Sequence, residues 1–303
     1  MKQENSRVIC FGEVLWDNLP EGRKPGGAPM NVAYHLNQLG IESSIVSRVG
    51  DDQNGKDLKS FINGKGIPVQ FIQKDTTYNT SEVAVHISEN KEVSYEILYP
   101  VAWDFISFDS EVEEMVKYAD AFVYGSLSSR AEMTSNTLYR LLENASYRIF
   151  DINLRPPFID QEKLENLLQM ADLLKLNNQE LDLIAGWYEL ENHTEVQKTS
   201  FLLTRFDIKE MIVTKGSFGA SYYNRSKEIH QQAYSVVVQD TVGSGDAFLS
   251  GFIAARLNGK SDSEALEYAT ALGGFVTMNA GACPSYYPSE IDSFIQQNPV
   301  NVI

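Results

Sequence analysis

The chain has 303 residues, 43% hydrophobic and 22% charged, which is ordinary globular usage and enough for one large α/β domain or two modest ones. Its net charge of −16 opposes non-specific attraction to nucleic acid or anionic lipid, so an anionic ligand needs a local device to hold it. No apolar run of signal-peptide length opens the sequence and nowhere do about 18 consecutive apolar residues occur, so a soluble, cytoplasmic protein with no membrane partner is expected. Cys10 and Cys283 lack companions at metal-ligand spacing and are expected to be inert small hydrophobes rather than a disulfide or part of a zinc site.

Along the chain, RVICFG, SSIVSRVG, DAFVYGS, YRIFDIN, DLLKLN and EMIVTKG are short β-branched or aromatic runs. The segments between them carry apolar residues at three- and four-residue spacing. The alternation predicts a doubly wound, mostly parallel sheet flanked by helices. In such sheets ligands gather beyond the carboxyl ends of the strands, where most of these runs end in glycine, serine, asparagine or aspartate. Residues 80–99, TSEVAVHISENKEVSYEILY, break the rhythm with period-two alternation around SENKE. They predict an antiparallel hairpin, a candidate lid or dimer surface. No internal repeat, low-complexity tract or long linker divides the chain, so residues 1–303 are read as a single domain.

Several chemistries lose support. GDDQNGKD, residues 50–57, fits the spacing of a P-loop but has Asp57 where Ser or Thr should hold magnesium. Asp51 and Asp52 would also repel the phosphates, so a turn and a capped helix start are expected there. No G-x-G-x-x-G follows a strand, no G-x-S-x-G occurs, and His35, His86, His193 and His230 are scattered. A dehydrogenase, a serine hydrolase and a zinc enzyme are therefore disfavoured.

DTVGSGDAFLSGFIAARLNG, residues 240–259, places Ala247, Phe248, Phe252, Ile253, Ala255 and Leu257 at helical period before Asn258 and Gly259. A helix of about three turns opened by glycines is predicted. Glycine lets the backbone turn its N–H groups inward without a Cβ in the way, and a helix N-terminus adds unsatisfied donors and a positive dipole end. Such a start can hold an anion. Asp246 at its edge has two readings, a helix cap or a base that takes the proton of an attacking hydroxyl.

PGGAPMNVAYHLNQLG, residues 25–40, again places glycines before a helix, with Asn31 one turn in and Ala33, Leu36 and Leu39 on the inner face. G-G-x-x-x-N near one end and D-T-x-G-x-G-D-A-F near the other resemble the two signatures of the ribokinase-like (PfkB-type) carbohydrate kinases. VGDDQNG, NTSEVAV, KLNNQEL, VTKGSFGA and NAGACP fall in that family's order, so the resemblance covers essentially the whole chain. D-x-N-x-R-x-P, with Asp151, Asn153 and Arg155, and GEVLWD are similar to the fructokinase and keto-deoxygluconate kinase branches.

The resemblance implies a ribokinase-like fold with a small β lid, its elements near residues 12–25 and 80–105. It implies Asp246 as the catalytic base beside an anion hole at Gly243, Ser244 and Gly245. Asp17, Gly26, Gly27 and Asn31 would recognise sugar hydroxyls, and Arg155 would clamp the transferring phosphoryl group or a substrate oxygen. Asn177, Thr214, Lys215, Gly216 and Gly219 would contact the nucleotide, with adenine near Gly273, Gly274 and Asn279. Glu180 would serve Mg2+ through a water. Asp240, Val242, Val276 and Gly281 are candidates for a K+ site.

Plainer readings stand beside these: a turn for Asp17, a surface ion pair for Arg155, a capping box for Asn177 and Glu180, and a buried Trp103 with a capping Asp104. The expected activity is ATP-dependent phosphorylation of a primary hydroxyl of a small sugar, fructose first. The alternatives are 2-keto-3-deoxygluconate, ribose or a nucleoside as acceptor, or a non-catalytic sugar or nucleotide sensor. The lid hairpin is the candidate surface for a homodimer.

Overall fold

Each β-branched run read from the sequence is a strand. The computed structural model describes residues 6–19, 22–87 and 93–298. Its strands are β1 (Arg7–Phe11), β2 (Leu15–Leu19), β3 (Gly22–Gly26), β4 (Glu42–Gly50), β5 (Ile72–Asp75), β6 (Ser81–Ile87), β7 (Val93–Ile97), β8 (Ala121–Gly125), β9 (Arg148–Asp151), β10 (Leu173–Asn177), β11 (Glu210–Thr214), β12 (Ala220–Asn224) and β13 (Glu228–Gln231). Its helices are α1 (Ala28–Gln38), α2 (Gln53–Gly64), α3 (Ser110–Lys117), α4 (Glu132–Leu142), α5 (Gln161–Gln169), α6 (Asn178–Gly186), α7 (Glu195–Arg205), α8 (Ser244–Leu257), α9 (Asp262–Thr277) and α10 (Pro288–Gln297).

One sheet of nine strands runs β13-β12-β11-β10-β9-β8-β1-β4-β5, parallel from β5 to β11, with β12 and β13 antiparallel at its edge. Side chains alternate across it. Ile9 and Phe11 of β1 enter one core with Trp103, Phe122 and Phe150, while Val8 and Cys10 enter the other with Met30, Ile45 and Phe252. Burial on both faces is why these strands read as continuous apolar runs. β1 pairs with β4 on one side and β8 on the other, so the chain reverses its direction of winding there. The crevice beyond the carboxyl end of such a strand is where open α/β sheets hold ligands.

A second sheet of four strands, β3-β2-β6-β7, covers that crevice. The predicted hairpin is β6 and β7, antiparallel, and β6 joins β2 by parallel pairing of Leu15 with Ser81 through Asp17 with Val83. Its expected turn at SENKE lies outside the described residues. At the P-loop near miss, Asp52 caps α2 by accepting from the Gly55 N–H at 2.7 Å. Trp103 is fully buried, and Asp104 accepts from the Val101 N–H at 2.9 Å and holds Arg130, so both belong to the core beneath the lid.

Candidate functional site

Two helix starts meet at the crevice. α8 begins at Ser244 with Gly243 as its first flanking residue at φ 75°, a left-handed backbone whose absent Cβ would run into Ala282. The helix has 14 residues, longer than the apolar pattern suggests, because Ser244 and Gly245 are already helical. Asp246 therefore lies inside the first turn and caps nothing. Its Oδ2 instead accepts a 2.8 Å hydrogen bond from Asn31 Nδ2 on α1. α1 is opened by Gly27 at φ 112°, where a Cβ would strike the Glu13 carbonyl. Asn31, 5% exposed, accepts at Oδ1 from the Cys283 thiol at 3.3 Å, so Cys283 is a neighbour of the site rather than a distant hydrophobe.

A cavity of about 860 Å³ opens over these helix starts. Its lining includes Asp17, Gly27, Asn31, Arg155, Asn177, Glu180, Val242, Gly243, Gly245 and Asp246, together with Leu15, Val83 and Ile97 of the covering sheet. A second cavity of about 660 Å³ is lined by Thr214, Gly216, Gly219, Ser244, Gly273 and Gly274. Thr214, Thr241 and Gly245 line both, so the two form one cleft with the start of α8 at its waist.

Some expected residues point elsewhere. Gly26 does not line the cavity; it leaves room for the Asp17 carboxylate, which a Cβ there would meet. Lys215 is drawn to Glu195 by a 2.8 Å ion pair. Asn279 donates back to the Phe275 carbonyl at 2.9 Å and lines neither cavity. Val276 is buried within α9. Asp240 stitches its corner together, Oδ1 accepting from the Val242 N–H at 3.0 Å and Oδ2 from the Gly281 N–H at 2.9 Å. Although burial opposes it, these N–H groups hold its carboxyl below the usual range.

Asn177 and Glu180 form the capping box of α6. Asn177 Oδ1 accepts from the Glu180 N–H at 2.9 Å and Glu180 Oε2 from the Asn177 N–H at 2.8 Å, while Oε1 takes the Leu154 N–H at 2.8 Å. Both readings of this pair meet in one place, because the box also lines the cavity.

Two residues not singled out by sequence reasoning stand at the centre. Lys175, the charge between the leucines of DLLKLN, is 8% exposed and donates to both oxygens of the buried Asp151, at 2.9 and 2.8 Å. A Cβ on Gly245 would lie 3.2 Å from its Nζ, which puts the ammonium behind the start of α8. Glu13, 4% exposed, follows β1 at the reversal point and lines the larger cavity.

Charge is concentrated here. Burial and the Asp151 carboxylate push the Asp246 carboxyl up to about 6, against Lys175, the Asn31 hydrogen bond and Arg155. Burial raises Glu13 to about 7 and also raises Asp17, with Arg155 opposing in both cases. A buried carboxylate with a raised pKa, one residue beyond the glycine that lines both chambers and beside helix N–H groups, suits transfer of an anionic group to a hydroxyl.

The fold and site are those of a small-molecule kinase of the doubly wound class. The chain belongs to the pfkB family of carbohydrate kinases, whose model, described as pfkB family carbohydrate kinase, matches residues 9–289. Fructokinase-1 of Oryza sativa subsp. japonica is 27% identical over 321 residues, covering 96% of this chain and 98% of that one. Fructokinase of Klebsiella pneumoniae is 29% identical over 266 residues, covering 82% and 84%. The crystal structure of fructokinase with bound ATP from Xylella fastidiosa shares the fold, with a TM-score of 0.85 at 24% identity over 96% of this chain and 98% of that one.

Proposed function

We propose that the chain is an ATP-dependent fructokinase, with Asp246 as the base and the start of α8 as the anion hole. The observation that carries this reading is that Gly245 lines both chambers while its neighbour Asp246 faces the larger one. The larger chamber, with Asp17, Gly27, Asn31 and Arg155, takes the sugar, and the smaller, lined by Gly216, Gly219, Gly273 and Gly274, takes the nucleotide. The names of the relatives favour fructose as acceptor.

In the reaction, Asp246 accepts the proton of a primary hydroxyl as that oxygen forms its bond to the γ-phosphorus. The bond from phosphorus to the β,γ-bridging oxygen breaks, and ADP leaves with its electron pair. The N–H groups at Gly243 to Gly245 face the charge that develops on the transferring group, and the Lys175 ammonium, held by Asp151, adds positive charge to the lining of the same chamber. Arg155 clamps its outer oxygens or the sugar. The covering sheet, with elements near residues 12–25 and 80–105, acts as a lid on one kinase domain and keeps water from the phosphate.

The residues fit a magnesium ion that arrives with the triphosphate and keeps most of its waters. Asp151 and Glu180 line the cavity, yet no three acidic, His or Cys side chains gather into a cage among the described residues. When bound, the ion neutralises triphosphate charge. Asp240 reaches its corner with both oxygens engaged, so a potassium ion there would rest mainly on carbonyls.

ATP-coupled phosphorylation of fructose, ribose, mannose, adenosine and 2-keto-3-deoxygluconate, with Asp246→Asn as control, tests this reading. Turnover of fructose that the variant loses supports it. Absence of turnover with every acceptor, or an Asn variant at the wild-type rate, overturns it.

A further inference from the structure

The stretch GDDQNGKD, which fails as a P-loop, holds the covering sheet instead. Pairing of Leu15 with Ser81 through Asp17 with Val83 puts Leu15, Asp17 and Val83 on the face toward the larger chamber, and all three line it. Trp16, Asn18 and Glu82 fall on the opposite face, which rests on the first turn of α2.

Asn54, in that turn, bonds to three of the sheet's four strands. Its carbonyl accepts from Trp16 Nε1 of β2 at 3.0 Å, its Oδ1 accepts from the Arg23 guanidinium of β3, and its Nδ2 donates to Glu82 Oε1 of β6. Glu82 Oε2 in turn accepts from Asn18 Nδ2 at 3.0 Å, which ties β6 back to β2. Arg23 adds a 3.0 Å ion pair with Asp57 and stands 4.0 Å over the Trp16 ring. Asp52 accepts from the Thr80 N–H at 2.8 Å and from its hydroxyl at 2.7 Å, which fixes the point where β6 begins. The cap of α2 is already complete at Asp52, so helix formation does not require an amide at position 54.

We propose that Asn54 is a positioning residue for the acceptor: by bracing β2, β3 and β6 against α2 it sets where Asp17 stands over the larger chamber and how closely the sheet seals that chamber. This rests on the sugar-kinase reading above. Asn54 lines neither chamber, so it acts through the strands it holds. Asp17 is the charged residue that the sheet contributes to the lining, and it adjoins Trp16, whose ring nitrogen Asn54 fixes. A displacement of about 1 Å at a group that holds substrate costs up to about 10²-fold, and a loosened cover admits water to the γ-phosphate.

The test compares wild type with Asn54→Ala, Asn54→Asp, and Asn54→Asp combined with Glu82→Gln. Asn54→Asp keeps an acceptor for Arg23 but sets a second carboxylate against Glu82. The double variant exchanges donor and acceptor: the amide at position 82 donates to the carboxylate at position 54 and still accepts from Asn18. For each protein the KM of ATP, the KM of the sugar that wild type uses best, and the ratio of ATP hydrolysed to sugar phosphorylated are read, with the urea midpoint beside them. Both single variants should raise the sugar KM about tenfold and raise the hydrolysis ratio, with the ATP KM within about twofold of wild type. The double variant should bring the sugar KM back to within about threefold of wild type.

An active wild type whose single variants lower the urea midpoint but leave the sugar KM unchanged, or raise the ATP and sugar KM alike, overturns this proposal and leaves the kinase reading standing. A double variant no better than Asn54→Asp does the same. A wild type that phosphorylates no acceptor overturns both. If Asn54→Ala fails to fold, Asn54→Asp and the double variant decide by themselves, since both keep the shape of the side chain at position 54.

Discussion

Asn31 and Asp246, 215 residues apart, are joined by a 2.8 Å hydrogen bond from amide to carboxylate that ties the first turn of α8 to α1. The bond favours the ionised form of an aspartate that burial and Asp151 push the other way. Asn31→Ala should therefore raise the Asp246 carboxyl above about 6, moving the acid limb of the kcat/KM profile upward and lowering the plateau by about 10- to 100-fold. A pH profile with the limb unmoved would show that Asn31 does not tune the base.

The same group makes a stability prediction of unusual sign. Its folded-state value, about 6, lies above the 3.8 of an ordinary aspartate, so the native state binds the proton more tightly. The contribution is complete below the unfolded value and is lost as pH rises from about 4 to 6. Asp246→Asn removes this loss. Urea denaturation should find the variant more stable than wild type by about 1–3 kcal/mol at pH 7.5, with the gap closing toward pH 4. Equal midpoints at pH 7.5 would contradict the assignment of that strain to Asp246.

Lys175 and Asp151 form a buried pair, so breaking it should cost stability whatever its role in the reaction. Lys175→Met alone should lose about 3–5 kcal/mol, because Asp151 is left buried and unpaired. Adding Asp151→Asn should recover most of that loss. If Lys175 also faces the transferring phosphate, the double variant stays down by at least about 10²-fold in kcat. Recovery of both stability and kcat would confine the lysine to a structural part.

The architecture was legible because strands buried on both faces must be apolar throughout, and six such runs stand in order as β1, β4, β8, β9, β10 and β11. The helix starts were legible because Gly27 and Gly243 occupy left-handed backbone against Glu13 and Ala282, positions that leave a glycine in the sequence. Glu13 and Lys175 leave no comparable trace, since what singles them out is which strand ends meet in space. Local bonds account for the differences. Asn279 returns to its own helix, Lys215 finds Glu195, and a capping box has the same three-residue spacing as the Asn177–Glu180 motif.

His35 supplies an acid-sensitive latch on the loop beside Gly243. It is fully buried on α1, and since the Ala282 carbonyl can only accept, Nε2–H donates to it at 2.8 Å while Nδ1 accepts from the Tyr286 hydroxyl at 2.9 Å. Burial lowers the imidazole to about 4 against the Ala282 bond, so the folded state binds the proton less tightly than the unfolded chain does. The stabilisation is complete above about 6.5 and is lost as pH falls toward 4, opposite in sign to that of Asp246. Protonation would also force Nδ1 to donate, turning the Tyr286 hydroxyl away. Amide hydrogen exchange at residues 281–286 should accelerate between pH 6.5 and 4.5 in wild type, after correction for the intrinsic rate. His35→Gln should exchange fast throughout and be less stable by about 1–3 kcal/mol at pH 7.5. Because Ala282 packs on Gly243, which lines the larger chamber, the variant should also lower kcat/KM for the sugar by about tenfold. Exchange in this segment that is independent of pH in wild type would remove His35 from that role.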